Sequence, residues 1–117
     1  MEQENRETRV LFVGDKCPFL EWYGGLRDKT TRQIILRRIA RVRAGNLGDV
    51  RSLGGGVKEL RIDFGSGYRV YFGEHEHVVV ILICGGDKGT QDNDIQKAKG
   101  LWERFKNDDS TSSRSFG

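Results

Sequence analysis

Four residues in one stretch of the chain are of the types that handle phosphate esters: Glu59, Arg61, Arg69 and Lys88. A guanidinium offers paired donors that match two phosphate oxygens, an ammonium adds a point charge, and a carboxylate can take a proton from a hydroxyl. All four fall within residues 57–88, VKELRIDFGSGYRVYFGEHEHVVVILICGGDK. From Glu59 to Phe64 the side chains alternate. Leu60, Ile62 and Phe64 lie on one side of an extended chain, and Glu59, Arg61 and Asp63 on the other. Gly65-Ser66-Gly67 makes a hairpin turn, after which Tyr68, Val70 and Phe72 share one side and Arg69 and Tyr71 the opposite one. Pairing across such a hairpin brings Arg61 and Arg69 within reach of each other. Lys88 follows the next strand by a few residues and can return to the same surface, and Tyr71 adds a ring on which a nucleobase can stack. The expectation is a sheet with one face covered by helices and a second, open face carrying Glu59, Arg61, Arg69 and Tyr71. Such a face suits a phosphate polyanion. It equally suits a solvent-facing sheet held by cross-strand Arg–Glu pairs, and the residues alone leave both open.

No other constellation competes. The chain has no phosphate-binding P-loop, no Ser-His-Asp pattern and no clustered metal ligands, so no metal and no cofactor is expected. His75 and His77 sit two apart at a strand turn and read as exposed turn residues. Cys17 and Cys84 read as ordinary buried thiols, which fits a reducing compartment. The Gly-Ser-Gly and Gly-Gly-Gly runs lack the strand–turn–helix context of a nucleotide loop.

The elements that must position these residues follow from periodicity. Thr8–Val13 is rich in strand formers, and Gly14-Asp15 ends it. Pro18 suits a first helical turn, and Phe19, Trp22, Tyr23 and Leu26 have helical spacing, although Gly24 and Gly25 keep that helix short. Asp28–Thr31 supplies capping residues for a second helix over about 31–44, with Ile35, Leu36, Ile39 and Val42 as its apolar stripe and Gly45-Asn46 as its stop. Residues 47–56 read as a loop. Three strands follow, the last of them apolar throughout (Val78–Cys84) and so suited to the sheet centre. Residues 92–105 close with a helix bearing Ile95, Ala98, Leu101, Trp102 and Phe105. The order is β-α-α-β-β-β-α, an α+β domain with an antiparallel meander and helices on one face. One domain is expected over residues 1–106, followed by a flexible tail at 107–117.

The chain of 117 residues carries a formal net charge of +3, but the basic residues are unevenly spread. Between Arg27 and Arg51 there are eight basic residues against two acidic ones, among them Arg37, Arg41 and Arg51. That excess suits an acidic partner, nucleic acid or protein, as well as it suits a solvated helix face. The polar beginning, MEQENRETRV, has none of the features of a signal peptide, and the longest apolar run is too short to span a bilayer. A soluble, cytoplasmic protein without a membrane partner is expected.

Taken together, FLEWYGGLRD (19–28), RIARVRAGNLGDVRSLGGGVKELRIDFGSGYRVYF (38–72) and LICGGDKGTQDNDIQKA (82–98) resemble the RelE/ParE superfamily of bacterial toxins from type II toxin–antitoxin modules, in its HigB-like, addiction-module-killer branch. The resemblance spans residues 8–105. It implies the RelE-like fold, a cognate antitoxin that is a helix-turn-helix DNA-binding protein, and contact with operator DNA through that antitoxin. It implies ribosome-dependent cleavage of mRNA without a metal, in which the 2′-hydroxyl attacks the adjacent phosphate. Members of the ParE type act on DNA gyrase instead. Carried onto this chain, Arg69 and Arg61 stabilise phosphate charge, Lys88 joins them, and Glu59 supplies the base. Arg37, Arg41, Arg51, Lys58 and Tyr71 are then candidates for contact with RNA or the ribosome. The chain departs from RelE in having Glu59-Leu60-Arg61 where a Lys-x-Lys pair is expected, and in lacking a tyrosine near the end, where Gln91 or Asp94 lies.

Overall fold

The computed structural model describes residues 6–76, 79–107 and 110–116. In chain order the elements are β1 (Glu7–Val13), α1 (Pro18–Gly24), α2 (Lys29–Arg43), β2 (Val50–Gly54), β3 (Val57–Ile62), β4 (Tyr68–His75), β5 (Val79–Gly86), a short 3-10 turn (Lys88–Thr90), α3 (Gln91–Lys106) and β6 (Thr111–Ser115). The class is α+β as expected. His75 is exposed at the end of β4, and the expectation for His77 lies outside the described residues.

The apolar character of β5 determines the layering. Its consecutive residues Val80, Ile81, Leu82 and Ile83 are all buried, so both faces of the sheet need cover. Phe19 of α1 and Ile35, Ile39 and Val42 of α2 pack on one face, against Leu60, Ile62, Val70, Phe72, Val80 and Leu82. Ala98 and Trp102 of α3 pack on the other, against Val57, Tyr71, Ile81 and Ile83. The expectation of helices on one face only is therefore corrected. Where β5 meets β4 the pairing slips, from Tyr71↔Cys84 to Phe72↔Leu82, and this bulge leaves Ile83 and Cys84 both on the α3 side.

Both faces draw a helix in close by presenting a glycine to a tryptophan. A Cβ on Gly73 would stand 2.3 Å from Trp102, and one on Gly85 would stand 2.2 Å from Trp22, so neither position admits a side chain. On α2, Asp28 caps the first turn as expected, accepting hydrogen bonds from the Thr30 amide at 3.1 Å and the Thr31 hydroxyl at 2.8 Å. Leu36 departs from its expected place in the stripe. It is exposed, and Thr31 takes the fourth buried position instead.

The sheet runs β2-β3-β4-β5-β1-β6. The meander β2 to β5 is antiparallel, whereas β1 joins β5 in parallel, so the sheet is mixed. Two strands are additions to the expected order. Part of the expected loop at 47–56 is β2, and the expected flexible tail at 107–117 contains β6, paired antiparallel to β1. The sequence of β6, TSSRS, has no apolar alternation to announce a strand. It is held instead by backbone pairing and by specific contacts. Arg9 donates from Nε to the Ser113 hydroxyl and from Nη2 to its carbonyl, both at 2.7 Å. The Arg114 guanidinium lies 4.0 Å from the Phe12 ring centre, and Phe116 meets Phe19 edge-on at 5.6 Å. No helix among the described residues is long and apolar enough to cross a membrane.

Because Phe116, just after β6, packs edge-on against Phe19, Phe116→Ala should lower the unfolding free energy by about 1–2 kcal/mol. Urea unfolding measures it. An unchanged midpoint would mean that this segment does not contribute to the fold.

Candidate anion-binding cleft

The turn between β3 and β4 builds the cleft. Gly65 (φ 59°) and Gly67 (φ 79°) adopt left-handed conformations that a side chain would strain, and the Gly67 amide closes the turn on the Phe64 carbonyl at 3.1 Å. The turn places Arg61 directly opposite Arg69 in the antiparallel pair. Gly67 is wedged between two basic side chains: a Cβ there would lie 3.4 Å from Arg69 Nη1 and 3.5 Å from Lys88 Cβ. The Lys88 amide reaches the Ser66 carbonyl at 3.4 Å, which ties the chain after β5 to the same turn. The result is a cleft of about 400 Å³ lined by Asp49, Arg61, Ile62, Asp63, Gly67, Tyr68, Arg69 and Lys88. Three of the expected phosphate-handling residues, Arg61, Arg69 and Lys88, thus converge from three different elements.

Two arginines opposed across a strand pair repel each other, and the structure offsets this on both sides. Arg61 Nε lies 3.8 Å from Asp49 Oδ2. Arg69 is buried, donates from Nη1 to the Gly67 carbonyl at 2.7 Å, and holds Nε 3.7 Å from Glu59 Oε2. Among the described residues Nε has no hydrogen-bond partner, so the Arg69–Glu59 pairing is one of charge rather than of a formed hydrogen bond.

Glu59 is where sequence and structure part. Alternation puts it on the same side of β3 as Arg61, as expected, but that side is covered by α3 here, and Glu59 has no exposed surface. Its Oε1 accepts from Arg51 Nη2 at 3.1 Å, and its Oε2 accepts from the Tyr71 hydroxyl at 3.1 Å and from Gln91 Nε2 at 2.9 Å. A carboxylate so enclosed cannot reach a substrate hydroxyl, and the expectation of Glu59 as a general base is corrected: it is a buried counter-charge to Arg69, outside the residues that line the cleft. Tyr71 is corrected in the same way. It is fully buried and offers no face to a nucleobase. Burial, reinforced by the neighbouring Glu59 charge, holds its phenol well above the usual range, so it stays a protonated donor to Glu59.

The remaining candidates lie apart from the cleft. Arg51, on β2, is half exposed and bound to Glu59. Lys58 points from the opposite side of β3 to Glu74, which also pairs with Arg6. Burial works to raise the Glu74 carboxyl, but hydrogen bonds from Lys58 and Arg6 outweigh it and hold the group below its ordinary value. Arg37 and Arg41 are exposed on α2, in the layer that covers the other face. Tyr68, Asp49 and Asp63 line the cleft without having been singled out. Tyr68 was assigned to the core side by alternation, and it packs only partly against that core. Nothing in the sequence marked Gln91 as the partner of Glu59. Cys84 is enclosed, and burial pushes its thiol up to about 12, so it is not a nucleophile at neutral pH. Among the described residues no three His, Cys, Asp or Glu side chains gather in a way that would hold a metal ion.

A protein of Haemophilus influenzae, described as an uncharacterized protein, is 49% identical to this chain over 81 residues, covering 69% of the chain and 82% of that protein. No protein-family model matches the chain, and no solved structure matches it significantly.

Two outcomes test the electrostatics. Glu59→Ala leaves Arg69, Tyr71 and Gln91 facing an empty interior and should cost about 3–5 kcal/mol, against about 1.5 kcal/mol for Tyr71→Phe. Strict additivity of the two in a double-mutant cycle would rule out the network. Separately, the depressed Glu74 carboxyl contributes stability that is complete above its unfolded pKa and is lost as pH falls through the lower folded value. Unfolding free energy should therefore decline between about pH 5 and pH 3, and decline less steeply in Glu74→Gln.

Proposed function

We propose that this chain, which belongs to one family with the uncharacterized Haemophilus influenzae protein, is the toxin of a type II toxin–antitoxin module and cleaves mRNA in the cytoplasm. The observation that carries this reading is the convergence of Arg61, Arg69 and Lys88 on one solvent-open cleft. Three cations from separate elements, two of them opposed across a strand pair, offer several donors to one bound phosphate, while Asp49 and Glu59 balance the arginines when the cleft is empty. The antiparallel meander with α1 and α2 against one face supports a RelE-like fold.

In the reaction, the 2′-hydroxyl of a bound ribonucleotide attacks its own 3′-phosphate. The products are a 2′,3′-cyclic phosphate on one fragment and a 5′-hydroxyl on the other. Arg69 and Lys88 neutralise the charge that grows on the non-bridging oxygens, and Arg61 holds the strand. Of the two carboxylates in the cleft, Asp49 is turned toward Arg61, and Asp63 makes no ion pair among the described residues. In this reading Asp63 takes the 2′-hydroxyl proton and Lys88 protonates the leaving oxygen. No metal or cofactor takes part. The exposed Arg37 and Arg41 on α2 meet ribosomal RNA phosphates, a salt-sensitive contact. A helix-turn-helix antitoxin neutralises the toxin and carries it to operator DNA.

One observation favours a second reading. The enclosure of Glu59 removes the base that the sequence offered, and a basic cleft that only binds also suits a gyrase-binding protein of the ParE type. A translating extract with mapped mRNA ends, run beside a gyrase supercoiling assay, separates the two. Cleavage with 5′-hydroxyl ends is expected, reduced about a hundredfold or more by Arg69→Ala. Intact mRNA together with blocked supercoiling would replace the nuclease reading with the gyrase one.

A further inference from the structure

We infer that Tyr68 is a stacking platform for an unpaired nucleobase, so that the cleft takes a single-stranded RNA segment by one phosphate and an adjoining base together. The inference rests on the RNA reading of the cleft and adds to it the part of the ligand that is not charged.

The other tyrosine of β4, Tyr71, is sealed beneath α3. Tyr68 is the aromatic residue among those lining the cleft, beside Arg61, Arg69 and Lys88. It is half-buried and packs in part against the apolar cluster under α1 and α2. It is also supported from the turn, where a Cβ on Gly65 would lie 3.1 Å from Tyr68 Cε2. The left-handed φ of 59° at Gly65 is what lets the turn pass this close to the ring. The ring thus packs in part on protein and borders an open basic cleft. A cleft of about 400 Å³ has room for a nucleotide-sized ligand. A base within a duplex already has neighbours on both faces, so only an unpaired base can use the ring.

The test is an NMR titration of the full chain, labelled on its tyrosine rings, with a single-stranded 2′-O-methyl RNA pentamer that cannot be cleaved. The comparison ligands are the same pentamer with the base removed at each position in turn, and the same pentamer in a duplex. The intact single strand should shift the Tyr68 ring upfield. Removing the stacked base should raise the dissociation constant about five- to a hundredfold, and the duplex should bind as weakly. Tyr68→Phe should keep this discrimination and Tyr68→Leu should abolish it. If the unmutated protein binds intact and abasic pentamers equally while Arg69→Ala weakens both, the platform is wrong and the phosphate cleft stands. If no pentamer binds and Arg69→Ala changes nothing, the RNA reading of the cleft falls and takes the platform with it.

Discussion

The enclosed carboxylate of Glu59 is the constraint on which the rest of the site depends. It receives Arg51 from β2, Tyr71 from β4 and Gln91 from α3, and it faces the Arg69 guanidinium at 3.7 Å. Without that negative charge, Arg69 would be a buried cation with another arginine opposite it. With it, a guanidinium can be held in the protein wall and still border the cleft. The same contacts fasten the first residue of α3 to the sheet, and so fix where Lys88 emerges. The charge distribution of the cleft and the docking of a helix are one interaction seen from two sides.

Much of this was legible in the sequence. The alternation of Glu59–Phe64 and Tyr68–Phe72 placed Leu60, Ile62, Val70 and Phe72 on a covered face and paired Arg61 with Arg69 across a hairpin. The return of Lys88 to that surface was legible as well. What alternation could not say is how far a helix extends over the second face. Glu59 and Arg61 share that face, yet one is sealed and the other half exposed, because α3 covers β3 only in part. Periodicity assigns a side, and burial along that side is a tertiary fact. The strand of Thr111–Ser115 was hidden for a different reason: its stability comes from main-chain pairing and from Arg9, Arg114 and Phe116, none of which leaves an apolar pattern.

The two glycine–tryptophan contacts show how a small domain covers a sheet on both faces. Gly73 and Gly85 lie on neighbouring strands and face opposite ways, one toward Trp102 and one toward Trp22. Each lets a large ring lie against the backbone, so that a single residue does the packing of several.

The position of β1 has a consequence for the order in which the chain can fold. Its two neighbours in the sheet are β5 and β6, both synthesised long after it. Until Val79–Gly86 has been made, β1 has no strand to pair with, and its buried residues Val10, Leu11 and Phe12 have no completed core to enter. The nascent chain therefore carries β1 unpaired until β5 has been made. Closing the sheet is a long-range event, of the kind that slows folding.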